Sequence, residues 1–324
     1  MKVVKWLLLT LGFYLLYATI RSVGPGSILS HISSMGWRFF PLLSIYLFIY
    51  AFHTLGWAYA FPGRSPEKVR LSDLYLIRII GETMNALIPF SASLGGEPVK
   101  ADLLKRRHGV PLSETFASIL IVHATFWLSL NIFVIGALAL TLKTEPLTPV
   151  LWKSVILFLL SLGAVAVCLI LGLRLGIFTK IHELGDRLNW WGADSKQKNV
   201  QFLKLDERIK SFFTSQPDRF FWSTLYNLLG WLFGLFEVYF IGKMLGMNIS
   251  WAHAWLFEAL IQVLRIITFF IPSSIGAQEG GIVLIFAQFG YASPVALSFA
   301  LIRRIREIVW LGIGLMLWAL MKNR

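Results

Sequence analysis

Eight apolar blocks dominate this chain, and a run of about 20 apolar residues is what an α-helix needs to cross a hydrocarbon core about 30 Å thick. They span Trp6–Ile20, Phe39–Phe61, Leu71–Phe90, Ile119–Leu140, Val150–Leu171, Phe220–Leu245, Trp251–Ile271 and Ile282–Met321. With 56% of 324 residues hydrophobic and 15% charged, the blocks leave room for short connections and none for a separate folded head. The expected class is an all-α polytopic membrane protein, one transmembrane domain with about eight hydrophobic segments.

Several functions are disfavoured at once. The single Cys168 excludes an intramolecular disulfide and a multi-thiolate metal site, and its apolar run marks it as a buried, inert thiol. His53, His123 and His253 show no His-x-x-x-His or Glu-x-x-His spacing, so no metal or other cofactor is expected. Neither Gly95-Gly96 nor Gly280-Gly281 is followed by the Gly-Lys-Ser/Thr of a phosphate-binding loop, and no Gly-x-Ser-x-Gly elbow occurs. No catalytic residue is assigned and an enzyme is not expected. The first block follows Lys2 and Lys5 as a signal peptide would, but runs on into Arg21-Ser22-Val23-Gly24-Pro25-Gly26 without a small-residue cleavage site, so an uncleaved first helix is expected.

The net charge of +13 lies between apolar blocks and not along one soluble face, which reads as topology and lipid-headgroup contact, with no nucleic-acid partner. Lys and Arg collect at the N-terminus, at 62–70, at 99–110 (Lys100, Lys105, Arg106, Arg107), at 172–219 and at the C-terminus. Only Arg21, Arg38, Lys143, Lys153 and Lys243 fall at the opposite connections. The rich side, with both termini, is expected to be cytoplasmic in a cell membrane. Since 62–70 and 99–110 both carry that signature, the chain between them must enter and return. Pro89, Gly95, Gly96 and Pro98 sit where a re-entrant hairpin would turn; the alternative is a full crossing followed by a basic loop on the other side. In 172–219, Ile177, Phe178, Ile181, Leu184 and Leu188 leave open an amphipathic interfacial helix or a solvated loop.

The break recurs. Ile88-Pro89 leads to Gly95-Gly96-Glu97, then Pro111 and Phe116-Ala117; Ile271-Pro272 leads to Gly276-Ala277-Gln278-Glu279-Gly280-Gly281, then Pro294 and Phe299-Ala300. The halves 1–148 and 149–324 then form two repeats. Three full crossings in each would invert the second relative to the first, an architecture of secondary transporters.

Five arginines fall in no loop: Arg78, Arg265, Arg303, Arg304 and Arg306. A charge at bilayer depth costs at least about 2.5–3.5 kcal/mol, so each must face protein, water or an anion. Arg78, Glu82 and Asn85 share one helical face, Glu258, Gln262 and Arg265 repeat the spacing with acid and base exchanged, and Arg303 and Glu307 are again i, i+4. These groups are either ion pairs holding a bundle or a site. Their convergence on the two breaks, and an excess of positive charge at Arg303–Arg306 offset only by Glu307, point to a phosphate-bearing ligand.

At these residues the sequence resembles the lysylphosphatidylglycerol synthase transmembrane domain family, also described as flippase-like integral membrane proteins. The resemblance rests on Gly95-Gly96-Glu97-Pro98-Val99-Lys100-Ala101 with Arg106-Arg107, on Val110-Pro111-Leu112-Ser113-Glu114, and on Ile271–Gly281 with Arg303-Arg304-Ile305-Arg306-Glu307. Where the family often shows Pro-Gly-Gly-Leu-Gly, this chain has Pro272-Ser273-Ser274-Ile275-Gly276, with less backbone freedom. The resemblance implies translocation of an anionic or modified lipid. The family's aminoacyl transfer belongs to a separate soluble domain and is not expected of a chain that ends at Arg324. A flippase for an anionic phospholipid or polyprenyl-phosphate lipid is therefore the leading expectation, with Glu82, Glu97, Glu258 or Glu279 taking protons or exchanging partners. An intramembrane transferase, or a scaffold serving a separate lipid-synthesis enzyme, is the alternative.

Overall fold

A computed structural model of the chain describes residues 26, 36–63, 69–87, 95–141, 149–188, 195–268, 274 and 276–322. The first expected helix, Pro89 and Pro272 lie outside the described residues. Among the described residues, a short 3-10 turn, Gly36–Arg38, is followed by eleven α-helices: α1 Phe39–Tyr59, α2 Leu71–Leu87, α3 Glu97–His108, α4 Leu112–Thr141, α5 Pro149–Leu175, α6 Ile177–Arg187, α7 Ser195–Ser215, α8 Pro217–Met244, α9 Trp251–Ile267, α10 Ala277–Gln288 and α11 Ser293–Lys322. The protein is an all-α membrane protein. Gly36–Tyr59, Leu112–Thr141 and Pro217–Met244 are each long and apolar enough to cross a bilayer.

The local sequence explains where helices begin and stop. Glu97 and Pro98 open α3, Gly109 closes it at φ 64°, and Lys105, Arg106, Arg107 and His108 oppose the dipole of its last turn. Ser250 caps α9 by accepting the His253 N–H at 3.1 Å. The last apolar block, read as continuous, is divided: α10 ends at Gln288 and α11 starts at Ser293, where Gly290 takes a positive φ. The described part of the hydrophilic stretch 172–219 is mostly helical. Gly176 turns the chain, α6 leaves the axis of the preceding helix at 79°, and α7 packs on α6. Asp206 of α7 accepts from the Thr179 N–H at 2.7 Å and from its hydroxyl at 2.6 Å, satisfying free donors at the start of α6. Ile181, Leu184 and Leu188 are exposed along α6 and at its C-terminal end. Cys168 is also exposed, on α5, contrary to the buried thiol expected: the apolar run that holds it has an outward face.

Two sets of helices match in size and order. α2, α3 and α4 have 17, 12 and 30 residues; α9, α10 and α11 have 17, 12 and 30. Their starts keep nearly the same separation along the chain, Leu71 with Trp251, Glu97 with Ala277, Leu112 with Ser293. In each set the short helices form an antiparallel hairpin. Asp73 meets His108 and Gly81 meets Gly96 in the first; Phe257 meets Phe286 and Thr268 meets Ser274 in the second.

The centre is the antiparallel pair α1 and α8, each preceding one of the sets. Tyr59 faces Tyr226 at 5.4 Å, and Tyr46 donates to Glu237 at 3.4 Å near the other end. Glycine permits the close approach: a Cβ on Gly56 would lie 2.9 Å from Asn227, and one on Gly230 would lie 2.7 Å from His53. Each long last helix then crosses to the other set. Gly136 of α4 lies against Trp255 of α9, and Gly314 of α11 lies against Thr83 of α2.

Two buried charge clusters at the hairpins

The first hairpin is closed by contact of backbone with backbone. A Cβ on Gly96 would stand 1.9 Å from the Gly81 carbonyl oxygen, and one on Gly81 would run into the Lys100 stem, so both positions need glycine. Asn85 then accepts the Gly96 N–H at 2.6 Å. This approach sets Lys100 between two carboxylates, its Nζ 2.9 Å from Glu97 and 3.1 Å from Glu82. Arg78 adds a longer contact to Glu82 at 3.6 Å and donates to the His53 carbonyl at 3.2 Å. His123 of α4 holds its Nδ1 against the Ile119 carbonyl at 2.7 Å, leaving Nε2 3.8 Å from Glu97. That contact is an ion pair only when the ring is protonated. Lys100, Arg78 and Glu97 are buried, whereas the Glu82 side chain is 32% exposed.

The topology count placed Lys100 in a basic loop. It is instead a buried cation 3% exposed on the inward face of α3, while its neighbours Lys105, Arg106 and Arg107 are exposed. The misreading has a physical cause: α3 begins inside the hairpin and emerges only in its last turns, so one short run of sequence serves both environments.

The second cluster is larger. Arg303 of α11 donates to Glu258 of α9 at 2.8 Å and lies 3.4 Å from Glu237 of α8. Arg306 reaches the other oxygen of Glu237 at 2.8 Å, and its guanidinium lies 3.7 Å from the Tyr46 ring centroid on α1. Arg304 points to the hairpin, 2.6 Å from Glu279 and 2.9 Å from Glu307. The second oxygen of Glu279 accepts the Gly276 N–H at 2.7 Å, so one carboxylate ties Arg304 to the start of α10. Gln262 donates to Glu258 at 2.5 Å, and Gln278 is buried at the same turn. Ser274 holds φ 49°, in the left-handed region that favours glycine, with its hydroxyl accepting from Thr268 at 3.0 Å.

Three readings of this cluster are corrected. The positive charge of Arg265, Arg303, Arg304 and Arg306 is not in excess: Glu237, Glu258, Glu279 and Glu307 balance it. Glu307 pairs with Arg304, while Arg303 turns to Glu258 and Glu237. Arg265 does not join Glu258; its side chain is 42% exposed and lies 4.0 Å from Glu307. The sequence reading missed Glu237 as well as Lys100. A lone carboxylate between Phe236 and Val238 in an apolar block was the signal for it.

An aromatic stripe on α1 runs from one cluster to the other. Tyr46 carries Arg306, Tyr50 packs on Trp310 at 5.0 Å, and Trp57 lies 5.7 Å from the Lys100 ammonium. Between them His53, Asn227, Thr125 and Ser223 form a buried hydrogen-bonded chain that closes on the Gly56 carbonyl at 2.8 Å. Among the described residues no group of three or more His, Cys, Asp or Glu side chains could hold a metal ion.

A multi-pass membrane protein with paired helical hairpins and buried, compensated charges is thus defined. The chain belongs to the family described as the lysylphosphatidylglycerol synthase TM region, which it matches over residues 4–314. It is also similar to a UPF0104 membrane protein of Methanothermobacter thermautotrophicus, at 23% identity over 320 residues, covering 92% of this chain and 90% of that protein. No solved structure matches it.

Proposed function

We propose that this protein moves a lipid with an anionic headgroup, a phospholipid or a polyprenyl phosphate, across the cell membrane. Both termini are cytoplasmic in this reading, and the two hairpins are re-entrant from opposite faces. One observation carries it: α1 and α8, which lead two sets of equal helix lengths, run antiparallel, and each set buries a charge cluster at its hairpin. Antiparallel leading helices are what inverted repeats require, and such repeats place a substrate near the midplane between broken helices.

Stability alone does not account for the charges. Buried ion pairs can be replaced by packed apolar residues at little or no cost, whereas charges inside membrane helices mark pathways. Because the second cluster is balanced, a phosphate enters by exchange and not by filling a deficit. Arg265, half exposed, is the first contact; the phosphate then displaces Glu279 from Arg304, with Arg supplying the same bidentate geometry to either anion. Release of Glu279 also frees the start of α10, coupling headgroup binding to hairpin movement. The test is transbilayer movement of a fluorescent phosphatidylglycerol in vesicles with and without the purified protein. Faster movement with protein is expected, and equal rates overturn the reading.

A further inference from the structure

The outer side of the α1–α8 pair carries a cavity of about 470 Å³ lined by apolar side chains, among them Pro41, Ile45, Phe48, Phe233, Phe236 and Trp251. Of its hydroxyls, that of Ser44 donates to the Phe40 carbonyl of its own helix at 3.0 Å, and that of Tyr239 belongs to the rim, where the ring stacks on Trp251. From Pro41 to Phe48 the groove follows α1 for about 10 Å at 1.5 Å per residue.

The two ends of the groove differ. The end formed by the start of α1 and the finish of α8 carries exposed Trp37, Phe40 and Trp251, with Tyr239 stacked on Trp251 at 4.1 Å and 7°. Aromatic side chains gather in this way at the headgroup level of a membrane. Two exposed cations share that end: Arg38, and Lys243, whose ammonium lies 5.4 Å from the Tyr239 ring. The other end, at Phe48 and Phe233, is wholly apolar and lies deeper along both helices.

We infer that this groove is a binding site for an anionic phospholipid, one acyl chain lying between α1 and α8 and the phosphate resting at the Arg38 and Lys243 end. Apolar depth, aromatic rim and positive charge follow in the order that such a lipid presents chain, glycerol and phosphate. The groove's helices carry Tyr46 and Glu237 on another face, so a seated lipid lies beside the second charge cluster.

The test uses the full chain in vesicles of phosphatidylcholine and phosphatidylglycerol with a trace of phosphatidylglycerol bearing a diazirine on one acyl chain. Illumination and peptide mapping are expected to place adducts on Ile45, Phe48, Phe233 and Phe236 well above those on Leu157 and Leu160, which face outward on α5. Lys243→Ala, an exposed change, is expected to lower groove labelling about fivefold. Ile45→Trp fills the groove and is expected to abolish the labelling. Equal labelling of the groove and the α5 face, no change in Lys243→Ala, or labelling as strong from the corresponding phosphatidylcholine probe overturns the site. No transport is measured, so this outcome and that of the flippase assay are independent.

Discussion

Arg303 and Glu258 meet across helices that are remote in the chain, Nη1 2.8 Å from Oε2, with side chains 1% and 4% exposed. Arg303 also lies 3.4 Å from Glu237, so a single guanidinium neutralises parts of two carboxylates. Arg303→Ala would leave Glu258 without a cation and Glu237 with Arg306 alone. A loss of about 3–5 kcal/mol is expected, read as a lower thermal midpoint in detergent. Glu258→Gln, which leaves Arg303 its contact to Glu237, is expected to lose less. If both variants melt with the wild type, the cluster does not hold α9 and α11 together.

Gly96, which caps the start of α3, and Gly280, inside α10, answer to different surroundings. Gly96→Ala drives a Cβ into the Gly81 carbonyl, and a backbone obstacle cannot rotate away. A cost of about 1–3 kcal/mol is expected. Gly280 has nothing within 4 Å of its added Cβ, and Gly280→Ala within α10 is expected to gain up to about 1 kcal/mol in helix preference. Thermal midpoints of the two variants, measured side by side, decide whether the hairpins pack as described.

Lys100 and Lys105 lie on one short helix, the first buried and the second exposed. A water-soluble amine-reactive reagent applied to folded protein is expected to modify Lys105 and spare Lys100, with Lys100 reacting after denaturation. Equal modification in the folded state would return Lys100 to a loop and dissolve the first cluster.

Much of this architecture was readable because membrane helices declare themselves: nothing in water needs Phe39–Phe61 or Phe220–Leu245. The helix break between Leu87 and Glu97 was legible from its Pro and Gly residues, and several cluster members from charges at i, i+4 and i+7. Partners were not legible. Arg303 and Glu307 share a helical face, yet tertiary packing offers Arg303 the deeper carboxylates of α8 and α9. Counting charge along α11 alone therefore gave an excess that Glu237, Glu258 and Glu279 remove. Cys168 shows the same gap, since an apolar run does not say which of its faces meets lipid and which meets protein.

On the proposed function, the buried arginines handle a lipid headgroup. The most direct measurement compares transbilayer movement of fluorescent phosphatidylglycerol in vesicles holding wild type, Arg304→Ala or Arg106→Ala, all checked for folding. Arg106, an exposed partner of Asp102 on α3, serves as the control for simple loss of charge. The expected result is protein-dependent movement that Arg106→Ala retains and Arg304→Ala slows at least about tenfold, the factor that ~1.4 kcal/mol represents. Movement no faster than in protein-free vesicles, or equal in Arg304→Ala and wild type, would contradict it.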